Sequence, residues 1–256
     1  TLDAAGTFSY AGLTTVSAGT LAYAANDQLS GAVTVAGGTL SLGAFTDTIG
    51  KLTVSGGAIT GTGAFTVNST DTFDLQSGSV AVDLGGTAAA TKTTAGSVTL
   101  TGNNGFTGGF TLSLGTVLIG TDTALGNGAL ALNGGVLASN ATVAAAGARS
   151  IANDLTIGGT ITLGNATNTG VLTFAGNVDL GSGGRTVTTD SDVMMNGVIS
   201  NGALTKGGAG TLTLSGLNTY TGVTTVTAGT LVTTSAGILA NTSGISISSG
   251  ATIKLQ

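Results

Sequence analysis

Aliphatic residues occur along the chain in short alternating runs: Val33 and Val35, Leu52 and Val54, Val98 and Leu100, Leu130 and Leu132, Leu212 and Leu214. Each pair brackets a threonine, an alanine or another small residue. A period of two puts the aliphatic side chains on one face of an extended segment and the small ones on the other. Threonine and valine favour such segments because their β-branched side chains pack well on a pleated surface. No stretch carries a helical period. The glycine that follows each run fits a corner, where the backbone turns without steric cost. The pattern predicts short strands joined by glycine corners.

A four-residue mark, small-Gly-x-aliphatic, punctuates the runs: AGTL at Ala18, GGTL at Gly37, GGAI at Gly56, SGSV at Ser77, AGSV at Ala95, LGTV at Leu114 and GGVL at Gly134. Successive offsets are 19, 19, 21, 18, 19 and 20 residues. A fixed period near twenty belongs to solenoids, in which each repeat buries its apolar strand only by stacking on its neighbours. Later marks, at Gly158, Ala175, Asn196, Ala209 and Ala228, are spaced less evenly and are compatible with the same phase. Short strands, glycine corners and this period predict an all-β chain, a parallel β-helix (β-solenoid) with about 19–20 residues and roughly three strands per coil. Coils ~4.8 Å apart, about twelve or thirteen of them, give a rod on the order of 60 Å.

A longer repeat overlies the first. Residues 205–231 read TKGGAGTLTLSGLNTYTGVTTVTAGTL, and residues 91–117 match them at 13 of 27 positions without a gap. Residues 1–21 match 211–231 at 12 of 21 positions. The expectation is a single continuous solenoid over 1–256, excised from a longer chain, that opens partway through a module. These long-repeat segments resemble the strand repeat of passenger domains of bacterial autotransporters and related large surface adhesins. The wording around them, NDLTIGGTITLG from Asn153 and FDLQSGSVAVDLGG from Phe73, is similar as well. The resemblance implies a right-handed parallel β-helix exported across the outer membrane to the cell surface, usually ahead of a C-terminal translocating barrel. The motif carries structure and supplies no catalytic residue to transfer.

Composition narrows the function further. Proline, cysteine, histidine, tryptophan and glutamate are absent, and charged residues make up 7% of the chain, far below the ~25% of ordinary globular proteins. Low charge with ample apolar content argues against disorder. The mean hydropathy is +0.48, yet polar or small residues interrupt every apolar stretch before the ~20 residues a spanning helix needs. With a net charge of −5 and six scattered basic residues, the segment has no cluster to displace counterions from nucleic acid phosphates or to hold a membrane surface. Without cysteine there are no disulfides or thiolate metal sites, and without histidine no Ser-His-Asp arrangement.

Several residues invite a chemical reading. Asp190 and Asp192 are the best carboxylate pair, since i and i+2 on a strand point to one side. They could serve calcium or glycan cleavage, but Arg185 is the nearest base, no second acidic strand lies one coil away, and they read as solvated turn residues. Asp71 and Asp74, near Asn68, read the same way. GGAGTL from Gly207 resembles the start of the calcium-binding β-roll nonapeptide, but Leu212 stands where that pattern needs aspartate. Lys51 after Gly50 is followed by Leu52, so it makes no phosphate loop. Lys92 and Lys206 share one place in the long repeat, a structural or surface role. Tyr10, Phe106 and Tyr220 share another, as recurrent packing residues rather than a glycan platform. Four sequons, at Asn68, Asn140, Asn165 and Asn241, are expected from composition. T-x-T pairs at Thr211 and Thr213, Thr225 and Thr227, and Thr160 and Thr162 have the local form of ice-binding solenoids, but their spacing along the chain is uneven.

The sequence therefore predicts no catalytic residue, no cofactor and no metal. Its expected role is a structural or adhesive rod: a stalk or filament segment of an exported adhesin or matrix fibre. Partners would be further coils of the same chain, identical subunits end to end, or host and matrix glycans. The alternatives are a polysaccharide-active β-helix of the pectin-lyase-like kind and an ice-binding solenoid.

Overall fold

The computed structural model describes residues 10–141, 147–234, 239 and 241–256. The chain divides into two compact units, residues 1–128 and 129–256, and the opening residues 1–9 of the first long-repeat copy lie outside the described part. All regular structure among the described residues is strand, and every strand pairing is parallel.

In the first unit, one wall stacks the strands Thr14–Val16, Val33–Val35, Leu52–Val54, Thr72–Leu75, Ala89–Lys92 and Phe110–Leu112, in chain order and one per coil. A second wall stacks Thr20–Ala22, Thr39–Gly43, Ala58–Gly61, Gly78–Val80, Ser97–Leu100 and Thr116–Ile119. A short third sheet holds Thr46–Ile49, Ala64–Val67 and Asp83–Gly85. Register partners lie one coil apart: Val33 on Leu52, 19 residues later, and Leu52 on Phe73, 21 later. Backbone groups of each coil are satisfied by the next, as where the Val33 N–H donates to Lys51 O at 2.9 Å. Such a stack is the parallel ladder of a β-solenoid.

The alternation in the sequence sets which side chains point inward. Val33, Val35, Leu52, Val54, Phe73 and Leu75 are fully buried while the residues between them are partly exposed. Burying such an aliphatic side chain stabilises by about 1.5–3 kcal/mol, and no coil can do so alone. Coils meet so closely at the marks that a side chain would not fit. Gly57 has φ +66°, and a Cβ there would lie 2.1 Å from the Gly38 carbonyl oxygen.

The second unit has the same logic with longer coils. One wall stacks Leu130–Leu132, Leu155–Ile157, Val178–Asp179 and Ile199–Ser200. Another stacks Val136–Ser139, Ile161–Leu163, Gly184–Thr189, Ala203–Gly207, Thr224–Val226 and Ile245–Ile247. The third stacks Arg149–Ile151, Leu172–Phe174, Val193–Met195, Thr211–Leu214, Thr230–Thr233 and Thr252–Leu255. Leu130 sits on Leu155, 25 residues later, and Ile161 on Val187, 26 later. By Leu212 and Leu231 the step is back to 19.

These longer corners change the meaning of the later marks. In this unit GGVL and GGTI open strands of the second wall described, AGNV and NGVI strands of the first, and the two AGTL marks strands of the third. The even phase carried over from the first seven marks is therefore corrected here. A glycine corner fits at any corner of a coil, so the wording does not by itself say which wall follows.

Candidate functional site

The long repeat is a two-coil module. In residues 91–119, Ala89–Lys92 pairs with Phe110–Leu112 and Ser97–Leu100 with Thr116–Ile119. In residues 204–232, Ala203–Gly207 pairs with Thr224–Val226 and Thr211–Leu214 with Thr230–Thr233. Strand alternation points Lys92 and Lys206 into the interior, and both are fully buried. The surface role open for them in the sequence is thus corrected to a buried one.

A buried ammonium needs acceptors for all three donors. Lys206 Nζ donates to Gly207 O at 2.7 Å and Gly208 O at 2.8 Å in its own corner, and to Ala228 O at 3.1 Å in the next coil. Lys92 Nζ donates to Thr94 O, to Thr94 Oγ1 at 3.2 Å, and to Leu114 O of the next coil at 3.2 Å. Each reaches 22 residues forward, to the residue preceding a positive-φ glycine, Gly229 or Gly115. A Cβ on Gly229 would lie 2.9 Å from Lys206 Nζ, and one on Gly115 2.5 Å from Lys92 Nζ. The glycine leaves the space the ammonium occupies.

Burial pushes the Lys206 ammonium down to about 8, against the opposing pull of Asp190. Lys92 is lowered by the same cause, with Asp74 opposing. A lysine whose folded value is lowered contributes stability that is present above its ordinary 10.5 and lost as pH falls through about 8. Thermal stability should therefore rise between pH 8 and 9.5, and Lys206→Met should remove part of that rise. A melting midpoint flat over this window in the parent chain would contradict the burial. The window stops below pH 10 because burial, then Asp47, raises Tyr23, which has the opposite sign.

The module's loop carries a second pair the sequence reading passed over. Asn104 and Asn218 hold one place in the two copies and are both buried. Asn104 Oδ1 accepts the Leu84 N–H of the preceding coil at 2.8 Å, and its Nδ2 donates to Ala124 O of the following coil at 2.6 Å. Asn218 Oδ1 accepts the Ile199 N–H at 2.8 Å. Beside them Phe106 and Tyr220 are buried, Tyr220 Oη lying 2.7 Å from Thr224 Oγ1. Their expected packing role holds. Tyr10, at the equivalent place, differs: it is 45% exposed.

The other candidates do not converge. Asp190 and Asp192 flank the buried Ser191 in a bend rather than a strand, and Asp192 Oδ1 accepts the Thr211 N–H at 3.1 Å. Arg185 is turned away, its Nε donating to Ile157 O at 2.7 Å. Asp74 is corrected from a turn to a strand residue of Thr72–Leu75, 3.3 Å from Lys51 Nζ of the preceding coil. Asp71 stays in its turn, with its N–H donating to Asn68 O. Among the described residues no three acidic side chains gather as a metal site.

An uncharted carboxylate lies elsewhere. Asp47 is buried in the short third sheet and accepts Tyr23 Oη and the Leu29 N–H, each at 2.8 Å. Burial raises it above the usual carboxylate range, opposed by those two bonds.

In the second unit an open groove of about 230 Å³ runs over Leu155 and Val178, rimmed by Asp154, Thr156, Asn177, Asp179 and Ser200. Thr156, Asp179 and Ser200 follow each other in register on the outer face. The Asn201 amide and the Gly181 N–H hold the Asp179 carboxyl below its ordinary value.

Of the T-x-T pairs, Thr211 and Thr213 lie on a different wall from Thr162 and Thr225, which join threonines outside those pairs in a hydroxyl array. On the wall of Gly184–Thr189, Thr186 pairs with Thr205, Thr205 with Thr225 and Thr225 with Ser246. In the rank beside it, Thr162 pairs with Thr188 and Thr188 with Gly207. A Cβ on Gly207 would lie 3.4 Å from Thr188 Oγ1 and 3.5 Å from Thr227 Oγ1, so the rank continues across that glycine. Corners of different length absorb the differences between coils.

A profile of the Passenger-associated-transport-repeat matches residues 1–22, 91–119 and 204–232. The latter two matches coincide with the two lysine-bearing modules. The chain therefore carries repeats of autotransporter passenger domains on a β-solenoid, the features of an exported passenger segment. No curated protein and no solved structure matches it.

Proposed function

We propose that the chain is a non-catalytic, structural part of an exported bacterial surface protein: a stalk or filament segment of an adhesin or extracellular fibre, held outside the cell. The observation that carries this reading is the inter-coil ladder, in which consecutive coils satisfy each other's backbone and bury each other's apolar residues. The charged side chains that a polysaccharide-cleaving β-helix would gather on one face are spread over the described coils instead: Asp47, Lys92 and Lys206 are buried singly, Asp74 pairs with Lys51, and Asp192 accepts a backbone N–H. Deleting residues 91–232 from the parent protein should shorten its projection in electron micrographs and leave polysaccharide turnover by the cells unchanged. Lost turnover with unchanged projection would favour the enzyme.

Two features support the partners of this reading. The groove over Leu155 and Val178 offers carboxylate and hydroxyl groups without a basic residue, chemistry suited to the hydroxyls of a host or matrix glycan. Ile245, Ile247 and Leu255 stand 47%, 52% and 66% exposed although their register partners face the interior. A further coil, of this chain or of an identical subunit, fits there, since an open strand edge pairs readily. The isolated segment should sediment as a concentration-dependent oligomer and become monomeric when a charged coil is fused after Gln256; a monomer at high concentration would contradict end-to-end stacking.

A second reading, an ice-binding solenoid, is favoured by the two-rank hydroxyl array of Thr186, Thr205, Thr225 and Thr162, Thr188. Thermal hysteresis that is lost with Thr205→Lys would support it, and its absence in the parent segment would end it.

A further inference from the structure

We propose that the buried lysines are register pins: each obliges the coil that bears it to stack under one particular segment of the next coil, the residue before the glycine 23 positions on. The need for a pin follows from the sequence. Strands such as VTV, LTV, LAL, LTI and ITL are nearly interchangeable, and a slip of two residues keeps every aliphatic side chain on the inner face. Alternation alone therefore does not distinguish the native stacking from a slipped one. The marks do not either, since the same wording opens strands on different walls.

The lysine removes the degeneracy. Its ammonium finds two acceptors within its own corner and takes the last from the following coil, Ala228 O for Lys206 and Leu114 O for Lys92. The adjoining glycine marks the same corner: a Cβ on Gly229 would meet the Gly208 and Gly210 carbonyl oxygens at 2.4 and 2.6 Å and Lys206 Nζ at 2.9 Å, so carbonyl, glycine and ammonium occur together there. In a stacking slipped by two residues, the ammonium would face a different corner without that pairing of carbonyl and glycine, and a buried cation lacking an acceptor is costly. A single buried polar group that sets register at some expense of stability is the best-attested use of such groups. The lowered proton affinity of Lys206 agrees with that expense. The same device stands at the same place of both modules, 114 residues apart, which a chance burial would not repeat.

The chain lacks cysteine, which allows a direct readout in the full-length chain. Thr205 and Thr225 are outward register partners, and parallel neighbours ~4.8 Å apart lie within disulfide range. Thr205 and Thr227 lie two residues out of register, beyond that range in the native stack. The chain carrying Thr205→Cys with Thr225→Cys reports native stacking, and Thr205→Cys with Thr227→Cys reports a slip. After refolding from denaturant under an oxidant, the parent lysine background should give the native cross-link and at most a trace of the slipped one. With Lys206→Met, the slipped cross-link should rise at least tenfold, while the melting midpoint at pH 7 is unchanged or higher. If Lys206→Met gives only the native cross-link, or simply lowers the midpoint, the lysine is an ordinary stabilising contact and the proposal fails.

A second arm needs no lysine variant. Refolding the lysine-bearing cysteine chains at pH 9.5, where the amine is neutral, should raise the share of slipped product over that at pH 7. The same shift should be absent with Lys206→Met, which separates the lysine from the thiols' own pH dependence. The charged groups around this lysine are Asp190, whose charge acts on it, and Arg185 on the adjacent strand, bonded to Ile157 O. A slipped share independent of pH in the lysine background would overturn the proposal.

Discussion

Phe73→Ala lowers the stability of the first unit by about 3–5 kcal/mol, the range for a buried phenylalanine whose cavity does not close. The ring is fully buried and stacks with its centroid 5.5 Å from that of Phe106, tilted by 46°. Its register partners decide how much the site can relax. On one side is Leu52 and on the other Ala90, which in turn faces Phe110. Ala90 thus sits between two phenylalanines on the inner face, and its methyl group is too short to fill the hole left by Phe73. Backbone movement is blocked as well, because the coil is hydrogen-bonded above and below. Urea unfolding followed by circular dichroism reads the loss, and a change under about 1 kcal/mol would mean the inner face is loosely packed.

Asn104→Ala has a comparable effect by a different route. The substitution strands the Leu84 N–H and the Ala124 carbonyl, both now paired with the carboxamide at 2.8 and 2.6 Å. Each buried group left unpaired costs about 1–3 kcal/mol. Because the partners belong to the coils before and after, the damage reaches three coils. Asn104→Asp is the sharper variant: it still accepts from Leu84 but turns an acceptor toward the Ala124 oxygen, so it should fall near the alanine variant. Asp192→Asn, which keeps its exposed bond to the Thr211 N–H, should change stability by less than about 0.5 kcal/mol. Asn104→Asp behaving like the parent would show that the amide donor contributes nothing.

Much of the fold is legible because a solenoid writes its geometry into the chain at short range. The alternation around Val33, Leu52 and Leu212 gives the inner faces, and the glycine marks give the corners. Coil length was legible only where the corners are short. From Ile161 to Val187, extra residues sit in the corner between Leu163 and Leu172 and leave strand pairing unchanged, so chain spacing misstates spatial spacing. The rank of Thr186, Thr205 and Thr225 is invisible in the chain for that reason.

The lysines were hidden by a sound prior, since lysine is almost never fully buried unless paired. Their partners are backbone carbonyls, which no residue type announces. A signal was nevertheless present: Lys92 with Gly115 and Lys206 with Gly229 share one separation, on an inward strand position, in both copies. Asn104 and Asn218 share a place in the same way. Asp47 had no such signal, because it occurs once and Tyr23 lies a full coil away from it.

The stacking of coils in register is tested most directly by one distance in the first unit. Thr15, Thr34, Thr53, Asp74, Thr91 and Thr111 succeed one another as outward register partners, one per coil. Spin labels on Thr15→Cys and Thr111→Cys are five coil steps apart. Pulsed dipolar spectroscopy should give a single narrow distribution centred near ~24 Å, five spacings of ~4.8 Å. A broad distribution, or a distance more than about 10 Å from that value, would contradict a parallel β-solenoid in which each coil sits on the next.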